Sequence, residues 1–382
     1  MPGKKYKGTN RHGESVDRAG LGRLRRASGK QRARVGQWEA KTEDEQALDS
    51  VGEIERPSHS GEALLARFNR LAGVIGAGAA DGQPGEIAAV AGAGWIVRDS
   101  SGRERPATVR NALLKRIGGV RNPLAVGDRV RWLAADGSGD DAVIVVVEPR
   151  RNQVARADSH NRSLEHVVAA NLDCLMVTAS LREPDLKCGL IDRYLLLAAW
   201  NAIPAAVVLT KADLADPGPA TALYRGIGLP TFALGVGRDQ DQEALRSWLA
   251  GKAVVVVGQS GVGKSTLINR LFPGAGIRIG SVAEAGHGRH TTVGGRSWLL
   301  GDGTRLVDTP GVRECGIAGL TAVDAALLFP DLAKFHRDCR FADCTHRHEP
   351  GCAVRAAVAG GAIAATRYES YRSIVAEDLG MG

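Results

Sequence analysis

The sequence contains no uninterrupted apolar run of about 18 residues, the length that indicates a membrane-spanning helix. The N-terminus is basic, but the apolar segment of a secretion signal does not follow it. We therefore expect no membrane span and a cytoplasmic location. Cysteine is also scarce, with six in 382 residues, and several of these are clustered. This pattern argues against the disulfide framework of a small secreted protein.

What the chain does have is length, apolar residues and positive charge. At 382 residues it is longer than an ordinary domain, so we expect two or three domains. Apolar residues make up 44% of the chain, which is enough to build real cores. The formal net charge of +8 and the pI near 9.3 favour an acidic partner, with nucleic acid as the first candidate.

Residues 1–80 have the composition of a basic arm without a fixed structure. Lysine and arginine crowd the segment from Lys4 to Arg34, where only Glu14 and Asp17 oppose them. A segment of this composition cannot bury enough apolar surface to offset its chain entropy. We interpret it as an arm that binds phosphates and orders on RNA. The alternative is a solubilising tail.

Residues 85–160 contain short strand-like runs that are separated by Gly, Asp and Ser turns. Closely spaced strands predict a small barrel, and basic residues along them fit an OB-like barrel, a fold that often binds oligonucleotides. The arginines that can form its basic face are Arg129, Arg131, Arg150, Arg151 and Arg156. The alternative is that these side chains only solvate an exposed face of the strands.

Residues 165–320 alternate between apolar strand-like runs and helical runs, which is typical of an α/β domain. Buried parallel strands are predicted at 172–178, 205–210 and 253–257. Residues 321–382 are predicted to be mainly helical, with a cysteine-rich loop among the helices.

The clearest motif is a phosphate-binding loop at residues 258–265, which matches the pattern G-x-x-x-x-G-K-[ST] at every fixed position. Its backbone N–H groups can wrap a β-phosphate, and the N-terminus of the following helix adds a positive field. We expect Lys264 to bridge the β- and γ-phosphates and Ser265 to ligate Mg²⁺. Asp308 is expected to hold the ion through water, and the N–H of Gly311 to contact the γ-phosphate. The predicted phosphate-binding residues are Gly258, Gln259, Ser260, Gly261, Val262, Gly263, Lys264, Ser265, Asp308 and Gly311.

A second motif has the form of a guanine-specificity motif and consists of Thr210, Lys211, Ala212 and Asp213. It precedes the phosphate loop, whereas in ordinary small GTPases it follows, so the domain is predicted to be circularly permuted. Apolar runs lead into both motifs and into Asp308, so all three are expected at the carboxyl ends of parallel strands. The Asp213 carboxylate can accept hydrogen bonds from N1 and N2 of guanine, and adenine offers neither donor. If the match is a coincidence, the alternative is a P-loop ATPase.

The segment 285–292 lies between the phosphate loop and Asp308 and is rich in glycine and polar residues. We expect it to act as a switch, with Thr291 or Thr292 closing on Mg²⁺ and the γ-phosphate. Val312 stands where many GTPases carry a glutamine that orients the attacking water, so His290 becomes a candidate for that role. The alternative is that His290 is structural or contacts RNA. The predicted catalytic residues are His290, Thr292 and Lys264.

The cysteine-rich loop has the residue types of a closed tetrahedral zinc site. Cys339, Cys344 and Cys352 lie within fourteen residues of chain together with His346 and His348. Three cysteines and one histidine form a structural Cys₃His set. Spacing alone does not decide between the two histidines.

The order of these features resembles that in the RsgA (YjeQ/YloQ) family of bacterial small-ribosomal-subunit biogenesis GTPases. Barrel, guanine motif, phosphate loop, Asp308-Thr-Pro-Gly311 and cysteine loop follow one another as in that family. The resemblance starts near residue 85 and continues to the end of the chain. The matching stretches are 126–130, 170–173, 258–267, 288–292 and 367–371.

The resemblance implies an α/β fold in which a circularly permuted P-loop GTPase domain lies between an OB-fold and a helical zinc-binding domain. It implies that Cys339, Cys344, His346 and Cys352 bind one structural zinc. The implied activity is hydrolysis of GTP to GDP and phosphate with Mg²⁺, stimulated by the small ribosomal subunit and its rRNA during late assembly. We expect a monomer. An alternative from another class is an RNA-binding protein whose nucleotide site is a conformational switch with negligible turnover.

The chain departs from the family pattern at two places. Thr210 stands where the guanine motif usually begins with asparagine, so a hydroxyl replaces an amide that braces the loop. The Ser-Ala element that usually backs the guanine base falls near Ala233 and Leu234, whose backbone N–H groups are the candidates for that contact.

Overall fold

The structure is a computed structural model. It describes residues 65–66, 68–70, 72, 82–91, 94–109, 124–135, 141–157, 165–273, 295–308 and 320–377. Apart from a few helical residues near Phe68, the predicted basic arm lies outside the described residues. No helix in these ranges is long and apolar enough to cross a membrane.

Five strands form a closed barrel in the first part of the described chain. They are β1 (Gln83–Ala91), β2 (Gly94–Asp99), β3 (Glu104–Val109), β4 (Arg129–Ala134) and β5 (Ala142–Val147). The order is β1-β2-β3-β5-β4, and β1 pairs again with β4, which closes the ring. All of these pairs are antiparallel except β3 with β5. The OB-like barrel predicted from the spacing of the strands is therefore confirmed.

The barrel encloses its own apolar core, and one predicted surface arginine belongs to that interior. Arg150 is 4% exposed, and its Nε and Nη2 donate to Asp128 Oδ1 and Oδ2 at 2.6 and 2.7 Å. Its guanidinium also lies 3.6 Å from the ring centre of Phe68. The interpretation of Arg150 as part of a basic face was wrong, because a buried bidentate ion pair neutralises its charge. Arg129 is exposed, as a basic face requires. Arg151 is half-exposed, but its Nη2 donates to Asp173 Oδ1 at 2.7 Å.

A mixed sheet with helices follows the barrel. Two strands, β6 (Gln153–Ala157) and β7 (Glu165–Ala170), come first and form a separate antiparallel pair. The mixed sheet and its helices consist of β8 (Cys174–Ser180), α1 (Cys188–Trp200), β9 (Ala205–Thr210), α2 (Gly218–Gly226), β10 (Thr231–Ala233), α3 (Asp239–Leu249), β11 (Ala253–Val257), α4 (Lys264–Leu271), β12 (Arg296–Leu299) and β13 (Arg305–Asp308). The order β10-β9-β8-β11-β13 is parallel throughout, and β12 joins its edge antiparallel to β13. β8 is buried along its whole length, as expected of a parallel strand that is covered on both faces.

Strand β12 connects the barrel to the α/β sheet. It pairs antiparallel with β1, so the barrel strands and the α/β strands form one continuous eleven-stranded sheet. The buried Arg98 of the barrel donates to the carbonyl oxygen of Ser297 at 2.5 Å. Glu104 accepts hydrogen bonds from both Arg98 and Arg296 at 2.7 Å. The contact therefore combines backbone pairing with a partly buried charge network.

Four helices complete the described chain, namely α5 (Ala322–Leu328), α6 (Pro330–His336), α7 (Ala353–Ala359) and α8 (Ala365–Glu377). A reciprocal capping box between Thr321 and Asp324 starts α5. Helix α8 packs on α1 of the α/β domain. Arg367 is buried at this junction and makes ion pairs with Asp192 and Asp331.

Candidate nucleotide and metal sites

The three nucleotide motifs meet at one edge of the parallel sheet. Thr210 ends β9, Val257 ends β11 immediately before the phosphate loop, and Asp308 ends β13. Because β9, β8, β11 and β13 are parallel neighbours, these three ends point to the same edge. Ligands of open α/β sheets bind at this edge. The guanine motif thus lies beside the phosphate loop in space although it precedes it in the chain.

The phosphate loop turns sharply where β11 ends. Gly258 has φ 146°, and a Cβ at this position would lie 2.0 Å from the carbonyl oxygen of Thr178. Only glycine fits there, because both the backbone angle and the space exclude a side chain. Helix α4 begins at Lys264, so its first N–H groups lie at the end of the loop. A helix N-terminus that follows a glycine-rich turn is a ready anion site.

The Lys264 side chain is folded over the loop that precedes it. Its Nζ donates to the carbonyl oxygens of Gly258 and Gln259 at 3.0 and 2.6 Å, and the residue is largely buried. Ser265 is the second residue of α4, and Asp308 is on the strand next to β11. The cation, the hydroxyl and the carboxylate expected from the motif therefore belong to neighbouring elements of one site.

Thr210 retains part of the bracing function that the usual asparagine provides. Its hydroxyl lies 2.7 Å from the carbonyl oxygen of Val262 in the phosphate loop and 3.2 Å from that of Ala179. A hydroxyl has one proton to donate, and the shorter contact to Val262 has the better distance. The buried Thr210 thereby ties the end of β9 to the phosphate loop.

The rest of the guanine motif forms a turn beside the segment that follows β10. Lys211 has φ 56°, and its ammonium contacts the carbonyl oxygen of Glu183. Asp213 is exposed, and its Oδ1 accepts the N–H of Val236 at 3.1 Å. Leu234 cannot supply the predicted N–H contact to the base, because that N–H donates to the carbonyl oxygen of Leu209 at 2.7 Å.

Several predicted site residues lie outside the described residues. These are Gly311, the switch residues His290, Thr291 and Thr292, and Val312. Their roles stay predictions from the sequence. Strand β12 begins at Arg296, shortly after this segment.

The cysteine-rich loop brings its predicted ligands together between α6 and α7. One ligand atom from each of Cys339, Cys344, His346 and Cys352 lies within 4.8 Å of the others, so the group can hold a metal ion. His346 Nδ1 lies 3.3 Å from Cys352 Sγ and 3.6 Å from Cys339 Sγ. His348 is exposed and is not part of this group. The geometry therefore selects His346.

A residue that sequence reasoning missed supports this cluster. His336, the last residue of α6, is buried, and its Nδ1 lies 2.9 Å from Nε2 of His346. This contact leaves His346 Nδ1 directed at the cysteines. Histidines that bind metals commonly use the second ring nitrogen in this way. His336 could not be predicted from the sequence, because the fold of the loop, and no fixed spacing in the chain, brings it to His346.

Helix α8 and Glu349 hold the backbone of the loop. The hydroxyl groups of Tyr368 and Tyr371 donate to the carbonyl oxygens of His346 and Thr345 at 2.5 and 2.8 Å. Glu349 accepts N–H bonds from Thr345 and Arg347 at 2.7 and 3.0 Å. The loop conformation is therefore fixed by groups that are not themselves ligands.

The enclosure of the cluster disfavours charge on its ligands. Burial raises the pKa of the Cys344 thiol to about 12. Burial, together with the neighbouring His336, lowers the pKa of His346 to about 4. A divalent cation favours thiolate and neutral imidazole, so metal binding here is coupled to the release of thiol protons.

The chain is similar to known proteins of one family. The family model described as RsgA GTPase matches residues 147–318. A small ribosomal subunit biogenesis GTPase RsgA from Gemmatimonas aurantiaca is 38% identical over 290 residues, covering 75% of this chain and 94% of the relative. The crystal structure of YjeQ from Thermotoga maritima has a TM-score of 0.64 and 27% identity, over 78% of this chain and 99% of that one.

A second solved structure, YloQ, is described as a circularly permuted GTPase. It has a TM-score of 0.60 and 24% identity, over 80% of this chain and 98% of its own. This likeness concerns the fold, and the description of that structure as circularly permuted agrees with the motif order of this chain. With these relatives spanning most of its length, the chain belongs to the RsgA GTPase family.

Proposed function

We propose that this protein hydrolyses GTP to GDP and phosphate and acts in the late assembly of the small ribosomal subunit, which stimulates its turnover. The observation that carries the nucleotide part is the convergence of Thr210, the phosphate loop and Asp308 at one edge of the sheet. The relatives named as small ribosomal subunit biogenesis GTPases support the biological part.

The phosphates and Mg²⁺ would be held by the residues that surround the N-terminus of α4. Backbone N–H groups of the loop and of the first turn suit a β-phosphate. The Lys264 ammonium now binds two carbonyl oxygens of the phosphate loop. When a nucleotide binds in the loop, the ammonium would bind phosphate oxygens in their place. Ser265 and Asp308 supply the hydroxyl and the carboxylate that bind Mg²⁺ in P-loop enzymes. Mg²⁺ would neutralise charge on the transferred phosphate.

Discrimination between guanine and adenine would depend on Asp213. Its carboxylate is exposed, and one oxygen accepts the Val236 N–H, so the group is oriented and still reachable by a base. Guanine presents donors at N1 and N2 to such a carboxylate, and adenine does not. Sites that hydrogen-bond a substrate group can reject analogues without it by a factor of about 10⁴–10⁵.

The metal of the cysteine loop would be one structural zinc ion. With Zn–S about 2.3 Å and Zn–N about 2.0–2.1 Å, tetrahedral angles require sulfur and nitrogen ligands about 3.6 Å apart. The His346 Nδ1 to sulfur separations of 3.3 and 3.6 Å are close to this value. Four protein ligands leave no open coordination position, so zinc would stabilise the loop and take no part in hydrolysis.

The partner would be the rRNA of the small subunit, contacted by the basic arm and by the barrel. The exposed Arg129 offers a guanidinium group on the barrel side, and the half-exposed Arg151 offers one that is also paired with Asp173. The net charge of +8 gives a favourable long-range attraction to phosphates. We further propose a cytoplasmic, monomeric protein, since ribosomal subunits are assembled in that compartment and the site is formed within one chain.

The nucleotide assignment is tested by the variant Asp213→Asn. The asparagine oxygen can still accept the Val236 N–H, so the loop keeps its support. The side-chain amide then faces the base as a donor, which suits the 2-carbonyl of xanthine. We expect weaker GTP binding and tighter binding of xanthosine triphosphate, measured by competition with a fluorescent nucleotide. If the wild-type protein binds ATP as tightly as GTP, the guanine assignment is wrong.

A further inference from the structure

A cavity of about 120 Å³ lies where the α/β domain meets the C-terminal helices. Its walls are the second half of α1, the start of β9, the segment between α2 and β10, and the corner between α5 and α6. Ala205 lines the cavity at the first residue of β9, whereas Thr210 at the other end of this six-residue strand belongs to the nucleotide site. The two ends of such a strand are about 17 Å apart, so the cavity is separate from the nucleotide site.

The cavity has an apolar body and one polar end. The larger apolar side chains that line it are Leu195, Leu196, Ile203, Ile227, Leu229 and Phe329. Among the described residues that line it, Asp192 and Arg367 are the two with polar side chains. Because an apolar cavity of about 150 Å³ can hold a benzene molecule, a small ring or a short alkyl chain suits the apolar body of this one.

At the polar end, the fully buried Asp192 has a carboxylate oxygen without a hydrogen bond. Its Oδ1 accepts from Nη1 of Arg367, but Oδ2 has no partner among the described residues. Two hydroxyl groups are nearby and leave Oδ2 unsatisfied. Ser370 donates to the carbonyl oxygen of Thr366 at 2.9 Å, and the Tyr224 hydroxyl is itself unpaired in this part of the chain. Buried polar atoms are nearly always hydrogen-bonded, so Oδ2 marks a place for a donor.

The charge at this end of the cavity favours a cation. Asp192 and Asp331 share the single guanidinium of Arg367, so the buried group of three carries one excess negative charge. Burial raises the pKa of Asp192 in spite of that guanidinium, which shows that the negative charge is incompletely compensated. A primary ammonium has three N–H donors and brings the missing positive charge.

We propose that this cavity binds a small primary amine in its ammonium form, with the nitrogen on Asp192 Oδ2 and the apolar body between α1 and the corner of α5 and α6. The bound amine fills space between the α/β domain and the helices that carry the cysteine-rich loop. It therefore stabilises their junction by binding the folded protein alone. The site is independent of the nucleotide and of RNA.

The probe for the test is benzylamine, whose ring and single ammonium match the body and the polar end of the cavity. Toluene has the same ring without the nitrogen, and benzoate has the opposite charge. Binding to the full-length protein is measured at neutral pH by isothermal titration calorimetry, with excess GTP present. We expect a Kd of about 1 mM for benzylamine, a reasonable value for eight non-hydrogen atoms. Toluene and benzoate should bind at least about tenfold more weakly, because each loses a hydrogen bond to a charged group.

The location of the site is tested by Ala199→Phe, with Ala222→Phe as the matched control. Both alanines are exposed on helices, but only Ala199 lines the cavity, so only its ring can fill the space. We expect Ala199→Phe to lower benzylamine affinity at least about tenfold, the cost of excluding the ring from its apolar contacts. Ala222→Phe should bind benzylamine as the wild type does. Benzylamine should raise the unfolding temperature of the wild type and of Ala222→Phe, and not that of Ala199→Phe.

The role of the carboxylate is tested by Asp192→Asn, which should bind benzylamine no better than toluene. If this variant does not fold, the comparison of the three probes on the wild type decides the same point. The inference is wrong if benzylamine at about 10 mM, ten times the expected Kd, does not bind in the presence of GTP. It is also wrong if toluene or benzoate binds as tightly as benzylamine, or if Ala199→Phe leaves the affinity for benzylamine unchanged.

Discussion

At the scale of single residues, substitution of the usual asparagine by Thr210 preserves a contact while changing its chemistry. The hydroxyl reaches the carbonyl oxygens of Val262 and Ala179, but its single proton serves one of them at a time. An amide has two protons and can serve two acceptors. The guanine motif of this chain is therefore tied to the phosphate loop by a smaller donor, in a buried position where the bond is shielded from water.

The contribution of this contact can be measured with Thr210→Val, which keeps the shape of the side chain and removes the hydroxyl. We expect the free energy of unfolding to fall by about 1–3 kcal/mol, because a buried carbonyl loses its partner. GTP and ATP affinity should weaken together, since the phosphate loop is common to both. Thr210→Ser retains the hydroxyl and should stay near the wild type. A valine variant with unchanged stability and nucleotide affinity would refute the bracing role.

At the scale of elements, the cysteine-rich loop depends on helices that precede and follow it. His336 at the end of α6 contacts the ring of His346, and Tyr368 and Tyr371 of α8 donate hydrogen bonds to the carbonyl oxygens of His346 and Thr345. The three cysteines could be found from their residue types and spacing, whereas the choice of His346 over His348 came from the family resemblance and is supported by the geometry. The support of these ligands could not be found in this way, because it comes from side chains that approach only after the helices have packed.

This support is tested by comparing His336→Ala with His348→Ala. Both variants remove one imidazole, but only His336 is buried against a ligand, whereas His348 is exposed. Loss of a side chain that hydrogen-bonds to a metal ligand typically lowers metal affinity about 10- to 100-fold. We expect that loss for His336→Ala and almost none for His348→Ala, measured by zinc transfer to a chromophoric chelator. Elemental analysis of the wild type should find one zinc per chain. Equal zinc retention by both variants would exclude a role for His336.

At the scale of the whole molecule, the α/β domain is joined to its neighbours by two different kinds of contact. On the barrel side, β12 pairs with β1 and completes a continuous sheet. On the side of the C-terminal helices, the contact is centred on buried charge, with Arg367 between Asp192 and Asp331. Burial raises the pKa of Asp192 in spite of the neighbouring guanidinium. The Arg367 guanidinium therefore offsets only part of the cost of burying the Asp192 carboxylate.

Arg367→Met should be strongly destabilising, because it leaves two buried carboxylates without their cation. Breaking a buried pair in this way costs about 3–5 kcal/mol of the free energy of unfolding. The control is Arg193→Met on α1, whose half-exposed side chain lies 3.9 Å from Glu377 on α8. A surface ion pair of this kind contributes about 0–1 kcal/mol to the free energy of unfolding. Chemical denaturation of both variants measures the difference. Similar losses would mean that the buried network does not stabilise the junction.

The sequence predicts most of this architecture because the polar motifs follow short apolar strands. The strands that lead to Thr210, the phosphate loop and Asp308 were expected from those runs, and the structure contains them. The pairing of β12 with β1 could not be foreseen, since it joins segments that are distant in the chain and have no local signal. Arg150 illustrates the same limit, because only the folded barrel brings its guanidinium to Asp128 and Phe68.

The central claim, a GTPase that the small ribosomal subunit activates, is tested most directly by multiple-turnover GTP hydrolysis. The rate is measured with small subunits, with large subunits and with neither. We expect slow hydrolysis by the free protein, because Val312 has no group to orient water, and a much higher rate with small subunits only. The stimulation should decline steeply with added salt, since basic side chains release counterions on binding RNA. His290→Ala should lower the stimulated rate more than GTP affinity. A free protein that already turns over at the stimulated rate, or equal stimulation by both subunits, would contradict the account.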